Sequence, residues 1–360
     1  MTELLRGITV IELASVLAGP LAGSFLAEHG AHVIKIENKK SGGDVTRQWR
    51  LKNEDVNTGI SAYYASANYG KEVLTLDLSD EKDYDQLLAV MRKADVVISN
   101  YQKKTAIKLN VDYKTLSRQF PNLIFAQLVA YAWDDPNPGY DLVMQAETGF
   151  ISMNGTLDGV RAKMPVALID VIAGHQIKEA ILLALLTKFK TGKGCYTEVS
   201  LYKSAISGLA NQASNYLMCD HIPKPMGTLH PNIAPYGDIV MTKDDKTIIL
   251  AIGSDKQFEK LGKTLKLAAD LLHTFRFNKD RVARRNEMML HIQAKFETME
   301  YNFLEMNLKN ANIPFCTVAN LAEVFKNPLA REMIVEETIE HQKTLKVSNT
   351  AFTMRQSELE

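Results

Sequence analysis

Hydrophobic and polar positions follow two alternating periods in the first third of the chain. ITVIEL (8–13), HVIKIE (32–37), VLTLDL (73–78), DVVISN (95–100) and LIFAQLV (123–129) are short apolar runs of the kind that form buried strands. Helical patterns lie between them. Leu21 to His29 reads as a helix, with Pro20 at its start and Gly30 at its stop. SDEKDYDQLLAVMRKA (79–94) is amphipathic, with Ser79 as its cap and an acidic first turn. Residues 104–119 carry another helical pattern, SGGDVTR (41–47) reads as a loop, and residues 57–70 as irregular. Short apolar strands alternating with helices specify a Rossmann-like parallel sheet covered on both faces, an α/β class.

The middle of the chain is organised by residues 165–201. An extended apolar piece runs into Asp170, a long helix follows with AILLALL (180–186) at its centre, and Thr191-Gly192-Lys193-Gly194 turns into a strand-like run from Cys195 to Leu201. A helix apolar all round has no wet face and is expected in the middle of a domain. Asp170 then sits where that helix begins. Two readings stay open from local sequence: an N-cap, or a carboxylate held ready for chemistry and kept charged by the helix terminus.

After residue 200, SLYKSAISGLANQASNYL (200–217) reads as a helix leaving the core, and HIPKPMGTLHPNIAPYG (221–237) as irregular. TIILAIG (247–253) is a strand, residues 255–311 are mainly helical, NPLAREMIVEE (327–337) is a helix and TLKVSN (344–349) a final strand. The reading is a large domain over residues 1–219, completed by 326–360, and a smaller α+β domain over 220–325.

Composition narrows the chemistry. The 360 residues are 46% hydrophobic and 23% charged, with a formal net charge of zero. Nucleic acid or an anionic membrane is therefore not an expected partner, because both need an excess of Lys and Arg. The three cysteines, Cys195, Cys219 and Cys316, are far apart, which argues for a reducing compartment and against disulfides or zinc. Cys219-Asp220-His221 offers ligand types but not ligand spacing, so no metal is expected. The apolar stretch 8–27 is interrupted by Glu12 and Pro20, so it reads as strand, turn and helix, and the expected location is cytoplasmic.

The familiar catalytic signatures are missing. The first strand–helix turn, Ser15-Val16-Leu17-Ala18-Gly19-Pro20, is not GxGxxG, and no Walker A, GxSxG or HExxH string occurs. His175, on the long helix, reads as a packed histidine. His230 lies in the irregular Pro-Gly stretch, where packing and function are both open. Lys103, Lys104 and Lys108 follow Asn100-Tyr101 at a strand end. They are either a solvated helix face or a phosphate-binding cluster, since ligands of such sheets bind outside the strands' carboxyl ends.

Seven segments in order resemble the class III CoA-transferases, the CaiB/BaiF family, which also contains α-methylacyl-CoA racemases. They are GITVIELASVLAGPLAGSFLAEHGAHVIKIE, GGDVTR, KEVLTLDL, ADVVISNY, GYDLVMQAETGF with the central block through Asp170 to KTGKGCYTEVSL, HPNIAPYGDIVMTKDDKTIILAIGSDKQFEKL, and NIPFCTVANLAEVFKNP. The resemblance implies a Rossmann-like large domain, a small domain and an interlocked homodimer. It implies CoA transfer from an acyl-CoA to a carboxylic acid, with Asp170 as the nucleophile that forms a mixed anhydride. Coenzyme A is then a substrate, with no permanently bound cofactor.

Carried over position by position, the resemblance places Leu76, Asn100, Tyr101, Lys104, Lys108, Leu109 and Tyr140 against CoA. Leu17, His230 and Tyr236 are placed in the substrate pocket. The chain departs from the family in Asn38, often Arg there, and in Gln102-Lys103-Lys104, where R-P-G is frequent. Leu17 replaces the Gln of formyl-CoA transferases, and their glycine-run loop is missing, which points away from the oxalate–formate pair. The racemases remain the alternative, given their similar length, but their catalytic His falls at Tyr140, a poor base near neutral pH. A non-catalytic CoA-binding protein is the third reading.

Overall fold

The computed structural model describes residues 3–354, and contacts divide the chain into two units. The first comprises Met1–Ser152, Lys163–Pro223 and Leu329–Glu360, the second Met153–Ala162 and Lys224–Pro328.

The first unit is built on a six-stranded sheet. Its strands are β1 (Thr9–Leu13), β2 (His32–Asn38), β3 (Lys71–Leu76), β4 (Val96–Ser99), β5 (Ile124–Val129) and β6 (Tyr196–Ser200), all parallel in the order β3-β2-β1-β4-β5-β6. Side chains alternate across it as strand geometry requires. Val10, Ile98 and Ile124 join one apolar cluster, and Ile11, Val97 and Phe125 the other. The helices are α1 (Ala18–Glu28), α2 (Ala62–Ala67), α3 (Glu81–Met91), α4 (Lys103–Lys108), α5 (Tyr113–Gln119), α6 (Asp141–Glu147), α7 (Phe150–Met153), α8 (Leu168–Thr191), α9 (Leu201–Gly208) and α10 (Asn211–Cys219). Ala22 and Leu26 of α1 and Ile177 and Ile181 of α8 pack in the first cluster; Leu87 of α3 and Leu116 of α5 pack in the second.

Beneath the β1–α1 turn lies a buried ion network. Glu12 on β1 pairs with Lys35 on β2 at 3.0 Å and with Lys71 on β3 at 2.8 Å, and Lys35 also pairs with Asp44 at 2.9 Å. These side chains are at most 1% exposed. Carbonyls of Ala14, Pro20 and Ala67 satisfy the remaining ammonium protons. Burial pushes the Lys71 ammonium down to about 7, against the pull of Glu12.

The hairpin of β10 (Ile334–Ile339) and β11 (Gln342–Val347) belongs to this unit. The segment after it closes on Glu28 at the end of α1, whose carboxylate takes bonds from Lys346, from Ser348 Oγ at 2.8 Å and from Asn349 N–H at 3.0 Å. The second unit has an antiparallel sheet of β7 (Tyr236–Met241), β8 (Thr247–Ala251) and β9 (Phe315–Cys316). Helices Asp255–Thr264, Arg285–Phe296 and Tyr301–Asn310 bury Phe258, Ile292, Phe296 and Leu304 with Val240, Ile248 and Leu250 of that sheet.

Local chemistry overrode several sequence expectations. The cap of α3 is Asp80, whose carboxylate accepts the Lys82 and Asp83 N–H groups, while Ser79 Oγ turns back to Asp77. The pattern over 104–119 breaks into α4 and α5 at Asn110, which adopts φ 54°. Residues 62–67, within the stretch read as irregular, form α2, capped by Ser61. Only Pro328–Glu332 of 327–337 is helical; IVEETI alternates and pairs as β10. Tyr236, read as irregular, opens β7.

The largest difference concerns α8. It runs 24 residues, and only one stripe, through Ile169, Ala173, Ile177 and Ile181, is buried. Leu183 is 65% exposed and Phe189 79%. An apolar helix needs cover, but its sequence does not say that its own chain supplies it.

A Cβ on Gly23 of α1 would lie 1.9 Å from Glu12 Oε2. Gly23→Ala is therefore expected to push apart the buried network and lower stability by roughly 2–4 kcal/mol. Denaturant titration measures it, and an unchanged midpoint would remove Gly23 from this role.

Candidate active site

The carboxyl ends of β1 and β4 meet at Asn100. Its Nδ2 donates to the Ser15 carbonyl at 2.9 Å and its Oδ1 accepts the Ser15 N–H at 3.2 Å. The next residue, Val16, takes φ 72°, a left-handed conformation that a β-branched residue adopts only under constraint, at a cost of order 1–3 kcal/mol. Its N–H points at the Asp44 carboxylate, at 3.3 Å. Burial opposes ionisation of Asp44, yet Lys35 and the Thr46 donors outweigh it and hold the group below the usual carboxylate range. The turn is thus clamped from two sides. Leu17, half-buried, then heads α1 without a side-chain cap, so that helix start lacks a side-chain acceptor for its free N–H groups.

A cavity of about 340 Å³ opens beside this turn, lined by Ser15, Val16, Asn100, Tyr101, Trp133 and Tyr140 among others. The structure thus brings Asn100, Tyr101 and Tyr140 to one cavity. Lys104 and Lys108 are exposed on α4 and carry no ion pair among the described residues, whereas Lys103, which lines the cavity, is tied to Asp134. Leu76, buried, and Leu109, half-buried, pack in the same apolar cluster as the Tyr101 ring. A second cavity, of about 210 Å³, shares Ser15 and Tyr101 and reaches Asn38 and Asp44.

Asp170 is 9% exposed and lies in the first turn of α8. It is not the cap: the N-cap position is Ala167, which offers no side chain. The acceptor comes from another helix. Asp141 of α6 takes the Ile169 N–H at 2.7 Å, and the Asp170 carboxylate has no hydrogen-bond partner among the described residues. Burial and the neighbouring Asp141 carboxylate raise Asp170 to about 7, the opposite direction from the helix-terminus effect expected from sequence. Gly174, one turn on, lets α8 approach α1: a Cβ there would be 3.1 Å from the Ala18 carbonyl.

Sequence reasoning missed Tyr63 and Asp141. Tyr63 on α2 is half-buried, and burial followed by the Asp170, Asp141 and Asp44 carboxylates raises its phenol. Trp49 packs edge-on against it at 5.0 Å. Its one signal was an aromatic pair, Tyr63-Tyr64, in a stretch without period. Asp141 was visible as the third letter of GYD.

His230 and Tyr236 lie in the second unit. The His230 N–H donates to the Tyr236 carbonyl at 3.0 Å and the rings meet edge-on at 5.5 Å. Arg285 grips the carbonyls of His230 and Ile233, and the buried Arg281 that of Ala234. Among the described residues, no group of three or more His, Cys, Asp or Glu side chains is placed to hold a metal ion, and no helix is long and apolar enough to cross a membrane.

The chain resembles known proteins along nearly its whole length. A family model described as CoA-transferase family III matches residues 5–360. A succinate–glutarate CoA-transferase of Agrobacterium fabrum is 36% identical over 334 residues, which span 90% of this chain and 82% of the relative. The human succinyl-CoA:glutarate CoA-transferase is 29% identical over 360 residues, spanning 98% and 80%. The crystal structure of a CaiB/BaiF family protein from Brucella suis superposes with a TM-score of 0.81 at 32% identity, covering 98% of this chain and 93% of that one.

The Asp170 carboxyl makes stability depend on pH. It titrates near 3.9 in an unfolded chain and about 7 in the fold. Between these values the folded state holds the extra proton, so stability from this group is full below about pH 4 and is lost as pH rises through 7. Asp170→Asn is expected to match the parent at pH 4 and exceed it at pH 8 by roughly 2–4 kcal/mol. Thermal denaturation at the two pH values reads the difference, and equal midpoints at pH 8 would contradict it.

Proposed function

The chain belongs to CoA-transferase family III and is a CoA-transferase; on that premise we propose that Asp170 is its nucleophile and that the β1–β4 cleft holds CoA. The observation that carries the reading is the Asp170 carboxyl itself, buried, free of hydrogen bonds and raised to about 7. A carboxylate of that basicity, stripped of water, is a strong nucleophile towards a thioester carbonyl. Attack breaks the C–S bond, CoA leaves as thiolate, and a mixed anhydride remains on Asp170. The acceptor carboxylate attacks the aspartyl carbonyl of the anhydride and the donor acid leaves as its carboxylate; the CoA thiolate then attacks the acceptor's acyl carbon, forming the new thioester and releasing the Asp170 carboxylate.

CoA lies across the carboxyl ends of the strands, with Asn100, Tyr101 and Tyr140 along the cavity. The free ammonium groups of Lys104 and Lys108 receive its phosphates, and Leu76 and Leu109 back the apolar wall under Tyr101. Leu17 borders the acyl group at the head of α1. The names of the bacterial and human relatives support a four- to five-carbon dicarboxylate as donor and acceptor, a size that agrees with the sequence departures from the oxalate–formate enzymes.

Two copies assemble, and the uncovered apolar residues of α8, Leu183, Leu186 and Phe189, support that assembly: an apolar strip of this kind seeks a partner. The protein works in the cytoplasm as an enzyme without a resident cofactor.

Two experiments test these readings. Incubation with succinyl-CoA and then hydroxylamine is expected to leave a hydroxamate on Asp170, located by mass spectrometry. Asp170→Ala is expected to lose at least about a thousandfold in transfer rate. Transfer at the parent rate would sink the nucleophile assignment. For assembly, light scattering is expected to give twice the chain mass, and Leu183→Glu with Phe189→Glu to reduce it; a monomeric parent overturns it.

A further inference from the structure

Two residues of α6 hold both ends of the backbone that delivers Asp170. Asp141 Oδ1 accepts the Ile169 N–H at 2.7 Å, and Gln145 Oε1 accepts the Met164 N–H at 2.8 Å. Gln145 Nε2 also donates to Asp141 Oδ2 at 2.7 Å, which locks the pair to each other. They stand one turn apart on one helix face. Gln145 is fully buried and Asp141 9% exposed. The carboxamide has no freedom to flip: its oxygen is needed by Met164 and its nitrogen by Asp141.

A clamp of this kind needs an acceptor at position 141, not a charge. Asn, Ser or Thr could receive the Ile169 N–H, and a carboxylate is the costly choice, because it sets a second acidic group beside a buried one. The titratable groups that reach Asp170 are Asp141 from α6 and Tyr63 from α2. Neither offers it a positive charge. The arrangement therefore strains Asp170 as a carboxylate and relieves it once the group is acylated.

We propose that the Asp141–Gln145 pair is the positioning device of the nucleophile, with Asp141 both fixing the first turn of α8 and destabilising the Asp170 carboxylate relative to its acyl form. The chemistry balances without any further group. Asp170 Oδ bonds to the acyl carbon, the C–S bond breaks, and the electron pair leaves on the CoA sulfur. Negative charge thus moves away from Asp141 as the anhydride forms. The raised pKa of Asp170, caused first by burial and then by Asp141, agrees with this direction.

The inference rests on Asp170 being the nucleophile, and its test separates the two. Full-length parent, Asp141→Asn and Gln145→Met are acylated with succinyl-CoA, trapped with hydroxylamine, and assayed for transfer from pH 5 to 9. In the parent the acid limb of kcat/KM is expected near pH 7. Asp141→Asn is expected to move that limb down by about one pH unit and to slow acylation at pH 8 by about tenfold or more. CoA binding, read by calorimetry, should stay within about twofold, since the pair lies outside the proposed CoA contacts. Gln145→Met is expected to slow acylation while the limb stays in place, because it loosens the clamp without removing charge. An unmoved limb with acylation at the parent rate in Asp141→Asn overturns the proposal. If that variant does not fold, parent-rate acylation in Gln145→Met overturns it instead. No hydroxamate on Asp170 in the parent defeats the nucleophile reading first, an outcome distinct from both.

Discussion

Two lysines and two carboxylates are buried beneath the turn between β1 and α1, and the cleft depends on their pairing. Each ion taken out of water costs several kcal/mol unless it is matched in charge and hydrogen bonds. Here Glu12 answers Lys35 and Lys71, Asp44 answers Lys35, and backbone carbonyls take the remaining protons. The network spans three adjacent strands and the loop after β2. Through Asp44 it reaches the strained Val16, and Asn100 holds Ser15 from the other side. A turn bound this firmly can keep an unfavourable backbone conformation next to a cavity.

The same physics is used in the opposite sense a short way along the fold. Asp44 is buried but has a cation and the donors of Val16 and Thr46, so it stays ionised. Asp170 is buried with neither, and its charged neighbour is another carboxylate. One group is held ionised by compensation and the other is pushed towards its neutral form by its lack. Position on a helix terminus decides neither case, because burial outweighs the partial charge of a helix end, worth about 0.3–1 kcal/mol.

The sheet was legible because parallel strands buried on both faces are short apolar runs, and β1, β4 and β5 each lie within one. The cleft was legible in part for a general reason, that such sheets bind at their carboxyl ends, which is where Asn100 and Tyr101 stand. Asp170 stood out as the one acidic residue at the head of an apolar helix. Its state did not, since burial raises it first, and Asp141, which adds to that, is 29 positions away and meets it only through the fold. Tyr63 was hidden for the same reason. The exposed apolar side of α8 was misread because periodicity records how apolar a helix is, not who covers it. Residues 334–337 were taken for helix because their neighbour Pro328–Glu332 has helical character and the partner strand lies beyond a turn.

Glu28 of α1 is tied to Lys346 of β11, 318 residues apart in sequence. A ribosome delivers that partner long after α1 itself. Until residues 346–350 emerge, the carboxylate at the end of α1 lacks the donors of Lys346, Ser348, Asn349 and Thr350, and burying it without them is costly. Gly70 and Arg47 likewise wait for Glu337 and Glu340. The N-terminal half of the sheet is therefore made early but sealed late, and the nascent chain must carry an unfinished first unit through the synthesis of the whole second one.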